Sequence, residues 1–391
     1  MAGPHLFLIA GEASGDKLGA ALMKGLKSLA PDVRFSGIGG PLMAQQGLNS
    51  LFPMSDLSVM GIAEILPKLP KLLGRVKMAV DAISREKPDA LITIDSPDFC
   101  LRVAKKARAA NSDLRTIHYV APTVWAWRPE RAAKMARHID HVLALFPFEA
   151  PYMEAEGMTC DFVGHPVVAE PVPSKAEITA FRDRHGIGKD QQLLLVLPGS
   201  RQGEVARMTP VFAAVVKDLC QQHPALAILV PATANVADTL TAQMADWPQN
   251  ARLLDPRNLS AEQAEAEKRL AFAAANLALA ASGTVSLELA AAGIPMVVAY
   301  KFNWLTTRIV KKKVNLKSAT LVNILTDSFA IPEFLFEACT PEEITPFVST
   351  LLSDPKALAA QKSAEDQALT MLGRGGEDPG LRAARSVLNA L

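Results

Sequence analysis

The sequence predicts an α/β protein made of two doubly wound, Rossmann-like domains that face each other across a cleft, with further helices at the C-terminus. Three observations predict it. The chain has 391 residues, too many for one compact core and enough for two of ordinary size. Short β-rich apolar runs alternate with helical patterns, which is the rhythm of a parallel sheet covered by helices on both faces. The alternation stops around Pro166, Pro171 and Pro173, which together cannot continue a helix or a central strand, and then begins again.

The first series of strands reads HLFLIA, VRFSGIGG, ALITID, TIHYVA, HVLALF and DFVGHP, giving an N-terminal domain over residues 1–168. The second reads LLLVLPGSR, LAILVPAT, NLALAASGT and MVVAYK, giving a second domain over 169–345. From Pro341 the pattern is helical, with PEEITPFVSTLL and DPKALAAQKSAEDQALTML ahead of a flexible GRGGEDPG. Residues 346–391 are therefore expected as helices that pack back on the first domain or on a partner subunit. In doubly wound sheets ligands bind outside the carboxyl ends of the strands, so the loops after each strand are where chemistry is sought.

A net charge of +1 gives no global attraction to nucleic acid or to anionic membranes, so such partners need a local patch. Cys100, Cys160, Cys220 and Cys339 are scattered, which argues against a disulfide framework or a thiolate zinc site and fits a reducing cytoplasm. The N-terminal apolar run has no basic residues before it and leads straight into a functional-looking loop, so it does not read as a signal peptide. The most apolar stretch, 270–300, is broken by Asn276, Ser282, Gly283 and Glu288, so no segment reads as membrane-spanning.

LLLVLPGSRQGEV delivers Gly199, Ser200 and Arg201 from a buried strand to a helix start, where free N–H groups and the helix dipole favour an anion. In ALAASGTVSLELAAAG, Ser282, Gly283 and Thr284 form a second such turn, with Glu288 one helical turn on. A phosphate at the turn with ribose hydroxyls on Glu288 fits a nucleoside diphosphate; an ordinary N-cap and a dipole-favoured glutamate fit equally well when the turn is taken alone. The two loops together favour a nucleotide. Neither is a Walker sequence, and GIGGPL lacks the dinucleotide spacing, which argues against ATP hydrolysis and NAD binding.

In the first domain GEASGD places Glu12, Ser14 and Asp16 after the first strand, and TIDSPDF places Asp95 and Asp98 after the third. A carboxylate there serves as a helix cap or as a general base, and the sequence leaves both open. Trp125 and Trp127 lie just past a strand end. HIDH, with His138 and His141, needs no metal role, and the absence of any Asp-x-Asp pair removes the usual way to hold a divalent ion against a diphosphate. Residues 57–77, LSVMGIAEILPKLPKLLGRVK, are greasy and cationic, with Met60, Ile65, Leu69 and Leu72 interleaved with Lys68, Lys71, Arg75 and Lys77. That composition fits a lipid-facing surface or, more readily when taken alone, a core-packed helix pair with solvated lysines. Lys311, Lys312 and Lys313 near Trp304 and Arg308 are ambiguous in the same way and match no nucleic-acid motif.

Taken in order, GEASGD, GIGGPLMAQQG, SVMGIAEIL, SPDF, APTVWAWRPER, FVGHP, LPGSRQGE and SGTVSLE resemble the lipid-A-disaccharide synthase family of GT-B glycosyltransferases. The resemblance implies inverting, metal-independent transfer of 2,3-diacylglucosamine from its UDP derivative to 2,3-diacylglucosamine 1-phosphate (lipid X). The product is the β-1,6 disaccharide and the leaving group UDP, with no cofactor. It makes the first domain the acceptor and membrane-facing one and the second the UDP-sugar donor one. It implies an enzyme peripheral on the cytoplasmic face of the inner membrane, and the C-terminal helices suit a homodimer. Carried over by motif, Asp98 is the general base, Glu12 joins it on the catalytic side, and Arg201 stabilises the leaving diphosphate. Gly199, Ser200, Ser282, Gly283, Thr284, Glu288 and Asn323 hold the donor. Ser14, Asp16, Met60, Ile65, Leu69, Leu72 and Trp127 line the acceptor side. Val322 and Phe336 depart from the family pattern, which has proline and glutamine there. A soluble UDP-sugar epimerase and a non-catalytic UDP-sugar or lipid-binding scaffold are the alternatives.

Overall fold

A computed structural model describes residues 3–57, 62–301 and 317–391. The chain divides into two compact units, Met1–Ala169 with Leu372–Leu391, and Glu170–Met371.

The first unit is built on a parallel sheet of β1 (His5–Ala10), β2 (Arg34–Ile38), β3 (Ala90–Ile94), β4 (Arg115–Tyr119), β5 (His141–Ala144) and β6 (Thr159–Phe162), in the order β2-β1-β3-β4-β5-β6. Central strands such as LFLIA and ALITI are buried along their whole length, which explains why they read as continuous apolar runs. The chain leaves β1 for β2 on one side and then returns to build everything else on the other. The crevice where a doubly wound sheet binds ligands thus falls between β1 and β3. These two strands end level, with Ala10 opposite Ile94, so residues 11–12 and 95–96 emerge side by side.

The second unit has β7 (Leu193–Leu197), β8 (Ala227–Pro231), β9 (Ala251–Leu254), β10 (Leu277–Ala281), β11 (Met296–Tyr300) and β12 (Glu333–Leu335), in the order β12-β11-β10-β7-β8-β9 and again all parallel. Its switch point lies between β7 and β10. Strands β9 and β12 are short, half-buried edges, which is why neither stands out as an apolar run in the sequence.

The C-terminal residues divide between the units. The expected boundary at 345/346 falls inside the helix Pro341–Ser353, whose Ile344, Val348 and Leu351 are buried in the second unit's core. The helix Pro355–Met371 also stays there, against the helices Leu321–Thr326 and Val285–Ala291. Pro379–Ala390 joins the first unit along the helix Ala13–Leu29, where Arg382 donates to the Phe162 carbonyl (2.8 Å) and Ser386 to Asp161 (2.6 Å).

Candidate functional site

At the second unit's switch point β7 runs into Pro198 and Gly199. Gly199 has φ +122°, and a Cβ there would lie 2.8 Å from the Glu204 Cβ, so only glycine lets the chain turn this closely over the helix Gln202–Gln222. Arg201 is the N-cap residue of that helix and its side chain is 68% exposed; its one contact among the described residues is Nη1 to Glu204 Oε1 at 3.2 Å. The loop after β8 braces it: Asn235 Nδ2 donates to the Ser200 carbonyl (2.9 Å), and Gln202 donates to the Asn235 carbonyl (2.5 Å). The result is an exposed guanidinium at the start of a long helix, suited to an anion.

Beside it, after β10, Gly283 and Thr284 are exposed and a Cβ on Gly283 would meet nothing within 4 Å, so the turn is open on that side. The Ser282 hydroxyl donates to the Ala319 carbonyl at 3.0 Å. Glu288 is paired through Oε2 with Lys268 Nζ at 2.9 Å. Burial opposes the Lys268 charge, but Glu288 and Glu265 more than restore it, and its pKa is raised. Asn323 differs from expectation. It is 1% exposed, donates to the Ile331 carbonyl (2.8 Å) and to Glu333 (3.0 Å), and accepts from Ile331 N–H (2.9 Å). Its amide is therefore spent on the scaffold. Glu333 in turn accepts from the backbone N–H groups of Ala319 and Thr320 and from the Ser318 hydroxyl, fixing the segment on which Ser282 rests. Phe336 has φ +57°, a left-handed conformation unusual for an aromatic residue, and is half-buried.

In the first unit Gly11 presses so closely on the β3 loop that a Cβ would lie 2.5 Å from Ser96 Oγ. Glu12 is the N-cap residue of the helix Ala13–Leu29 and makes no side-chain cap bond. Asp95 and Ser96 both have positive φ (51° and 43°), a strained turn held in place by its surroundings. Neither aspartate caps the following helix, because the N-cap residue of Pro97–Ala110 is Ser96 and no side chain bonds its end. The two acids differ in placement. Asp95 reaches the first loop through a long contact with Ser14 Oγ (3.5 Å), so it lies in the switch-point crevice. Asp98 is exposed on the first turn of the helix. Asp16, expected on the acceptor side, is 3% exposed and accepts from the backbone N–H groups of Gly40 (2.9 Å), Leu42 (3.0 Å) and Met43 (3.0 Å). It anchors the next loop and is buried away from any ligand.

The β4 and β5 loops are tied by Glu149, a residue the sequence pattern did not single out. It is 2% exposed and accepts from Leu145 N–H (3.1 Å), Phe146 N–H (3.0 Å) and Trp125 Nε1 (3.3 Å). Burial pushes its carboxyl up to about 7 despite those donors. Trp125 packs edge-on against Phe148 (5.0 Å), and Phe146 contacts His165 (5.6 Å), whose imidazole burial pushes down to about 4. Trp125 is a packing residue. Trp127 is half-buried under the Arg128 guanidinium, 4.0 Å from its ring. Val120, at φ +82°, is a strained β-branched residue at the start of the same loop.

Met60 and the side chain of Ile65 lie outside the described residues, as does the cluster of Trp304, Arg308 and Lys311–Lys313. Leu69 and Leu73, one turn apart on the helix Ile62–Glu86, are 37% and 43% exposed, while Leu72 is half-buried. Two of the cations in this stretch are engaged: Lys71 (2.5 Å) and Arg75 (2.6 Å) both bond Asp56, and those bonds hold its carboxyl below the usual range. No helix among the described residues is long and apolar enough to cross a membrane. A cavity of about 270 Å³ lies at the opposite edge of the second sheet, lined by Gln192, Asn276 and Pro295 at the amino ends of strands.

Comparison with known proteins gives consistent findings. The family model described as lipid-A-disaccharide synthetase matches residues 6–377. A lipid-A-disaccharide synthase of Ruegeria pomeroyi is 55% identical, covering 99% of this chain and 95% of its own, and one of Rhodospirillum centenum is 46% identical, covering 99% and 94%. Among solved structures, a UDP-GlcNAc 2-epimerase from Neisseria meningitidis bound to UDP-GlcNAc has TM-score 0.63 at 11% identity, covering 98% of each chain. MurG of Acinetobacter baumannii has TM-score 0.57 at 16% identity, covering 99% of each chain. At such identities these last two share the fold.

Proposed function

The chain belongs to the lipid-A-disaccharide synthase family, a family of glycosyltransferases with the two-domain GT-B fold, and from that premise we propose how its two sheet edges divide the reaction. The first unit takes the acceptor, 2,3-diacylglucosamine 1-phosphate, and the second takes UDP-2,3-diacylglucosamine. The observation that carries this reading is that each switch point holds one reactive group of the right kind: Asp95 between β1 and β3, and Arg201 between β7 and β10.

A carboxylate of the β3 loop accepts the proton of the acceptor 6-hydroxyl as that oxygen attacks the anomeric carbon from the face opposite UDP, inverting it. Motif resemblance assigns the role to Asp98, whereas crevice placement and the contact with Ser14 favour Asp95. As the anomeric bond breaks, charge grows on the diphosphate. Arg201, the N–H groups at the start of Gln202–Gln222 and the 282–284 turn stabilise it, a term larger in the transition state than in the ground state. Glu288, oriented by its ion pair with Lys268, accepts the ribose hydroxyls. Asn323 and Glu333 act at one remove, by fixing the 318–320 segment under Ser282. The exposed Leu69 and Leu73 support a peripheral position on the cytoplasmic face of the inner membrane.

The test is product analysis by mass spectrometry with both lipid substrates and no added metal. Formation of the disaccharide 1-phosphate with UDP supports the proposal; consumption of the UDP-sugar without lipid acceptor would point to an epimerase. Comparing D95N with D98N assigns the base. With Asp95 as base, D95N lowers kcat by about 10² to 10⁴ and D98N by a few-fold at most; the reverse pattern moves the role to Asp98.

A further inference from the structure

Glu204 lies one turn into the helix Gln202–Gln222, where an acid commonly reaches back to the N-cap backbone in a capping box. Here the N-cap residue is Arg201, no cap bond forms, and the Glu204 carboxylate is used differently. Oε1 accepts from Arg201 Nη1 and from the Tyr300 hydroxyl, both at 3.2 Å. The other oxygen lies 2.9 Å from where a Cβ on Gly199 would stand, so the glycine turn is closed down on this carboxylate. The side chain is only 13% exposed.

Tyr300 ends β11, and Glu204 follows β7. These strands flank β10 and are therefore about 10 Å apart at two strand spacings. The Glu204–Tyr300 bond spans the carboxyl end of β10, next to the Ser282–Thr284 turn. Burial and the Glu204 charge raise the Tyr300 pKa, so the phenol stays a donor to that carboxylate. Glu204 engages one terminal nitrogen of Arg201, and a guanidinium carries five N–H donors, so the remaining edge is available to phosphate oxygens.

We propose that Glu204 is the positioning residue for Arg201: held by Tyr300, it fixes the guanidinium beside the β10 turn with one edge presented to the donor diphosphate. This rests on the reading of Arg201 given above. Without Glu204 the arginine sweeps a large volume, and the geometry that matters as the bond breaks is reached less often. Ground-state affinity, set also by the backbone turns and Glu288, changes less.

The test is a double-mutant cycle of Glu204→Gln and Arg201→Ala, with kcat and donor KM measured on UDP-2,3-diacylglucosamine and its acceptor. Glu204→Gln keeps the shape and removes the charge. The expected result is a fall in kcat of about tenfold to a hundredfold, with donor KM changed less than about threefold. In the Arg201→Ala background the same substitution is expected to change kcat by less than about twofold. Tyr300→Phe should give a smaller loss of the same kind. Additive losses in the double mutant, or a wild-type kcat for Glu204→Gln while Arg201→Ala is impaired, overturn the positioning role and leave the reading of Arg201 standing. A wild-type kcat for Arg201→Ala overturns both.

Discussion

The two loops that open the two sheets, residues 11–16 after β1 and 198–204 after β7, share an outline: a buried strand, a glycine turn, a long helix and an acid in its first turns. They differ in what the acid holds. Asp16 is buried and fastened to three backbone N–H groups of the neighbouring loop. Glu204, itself mostly buried, is fastened to the side chains of Tyr300 and the exposed Arg201. Backbone amides in a folded loop cannot move away, whereas an exposed arginine can. On the proposed reading the first loop is thus a rigid floor for the acceptor, and the second carries an exposed cation that needs a side-chain tether to meet the leaving group.

The largest effect that separates the loops is on stability. Asp16→Ala strands three backbone N–H groups and is expected to cost about 3 kcal/mol, against less than about 1 kcal/mol for Arg201→Ala, measured by urea unfolding. Comparable losses would erase the contrast. Next is pH. The folded Glu149 carboxyl is raised to about 7, above its unfolded value, so its neutral form favours the fold at low pH. That contribution is fully present below about pH 4.5 and is lost as pH rises through 7, by at most about 3 kcal/mol. Glu149→Gln should flatten this part of the slope between pH 5 and 8; an unchanged slope would mean that Glu149 is ionised throughout. Gly199→Ala, forced into positive φ against Glu204, is expected to cost about 1 to 2 kcal/mol and to lower kcat as well. The smallest effect is Leu69→Glu with Leu73→Glu, expected to weaken sedimentation with anionic vesicles while leaving the melting temperature unchanged, since both side chains are exposed.

Much of this architecture was legible in the sequence because short apolar runs of strand length, bounded by turn residues, fit buried strands, and the polar loops after them fall at strand ends. That logic located Arg201, the 282–284 turn and the aspartates of the β3 loop. It could not find Glu149 or assign Asp16 and Asn323, because each is fixed by groups elsewhere along the chain: Trp125 for Glu149, the backbone of Gly40, Leu42 and Met43 for Asp16, and Ile331 and Glu333 for Asn323. Nor could it divide the C-terminal helices, since an apolar stripe such as that of Pro341–Ser353 shows that a face is buried and not which core buries it. Glu204 was in view inside the LPGSRQGE motif, but its role depends on Tyr300, 96 residues away.

On the proposed mechanism Arg201 acts on the transition state more than on the bound donor. The direct measurement is kcat for Arg201→Ala beside its dissociation constant for UDP-2,3-diacylglucosamine without acceptor. The expected result is a fall in kcat of about 10² to 10³ with donor affinity weakened less than about tenfold. Equal losses in both would contradict it and reduce the loop to a binding element.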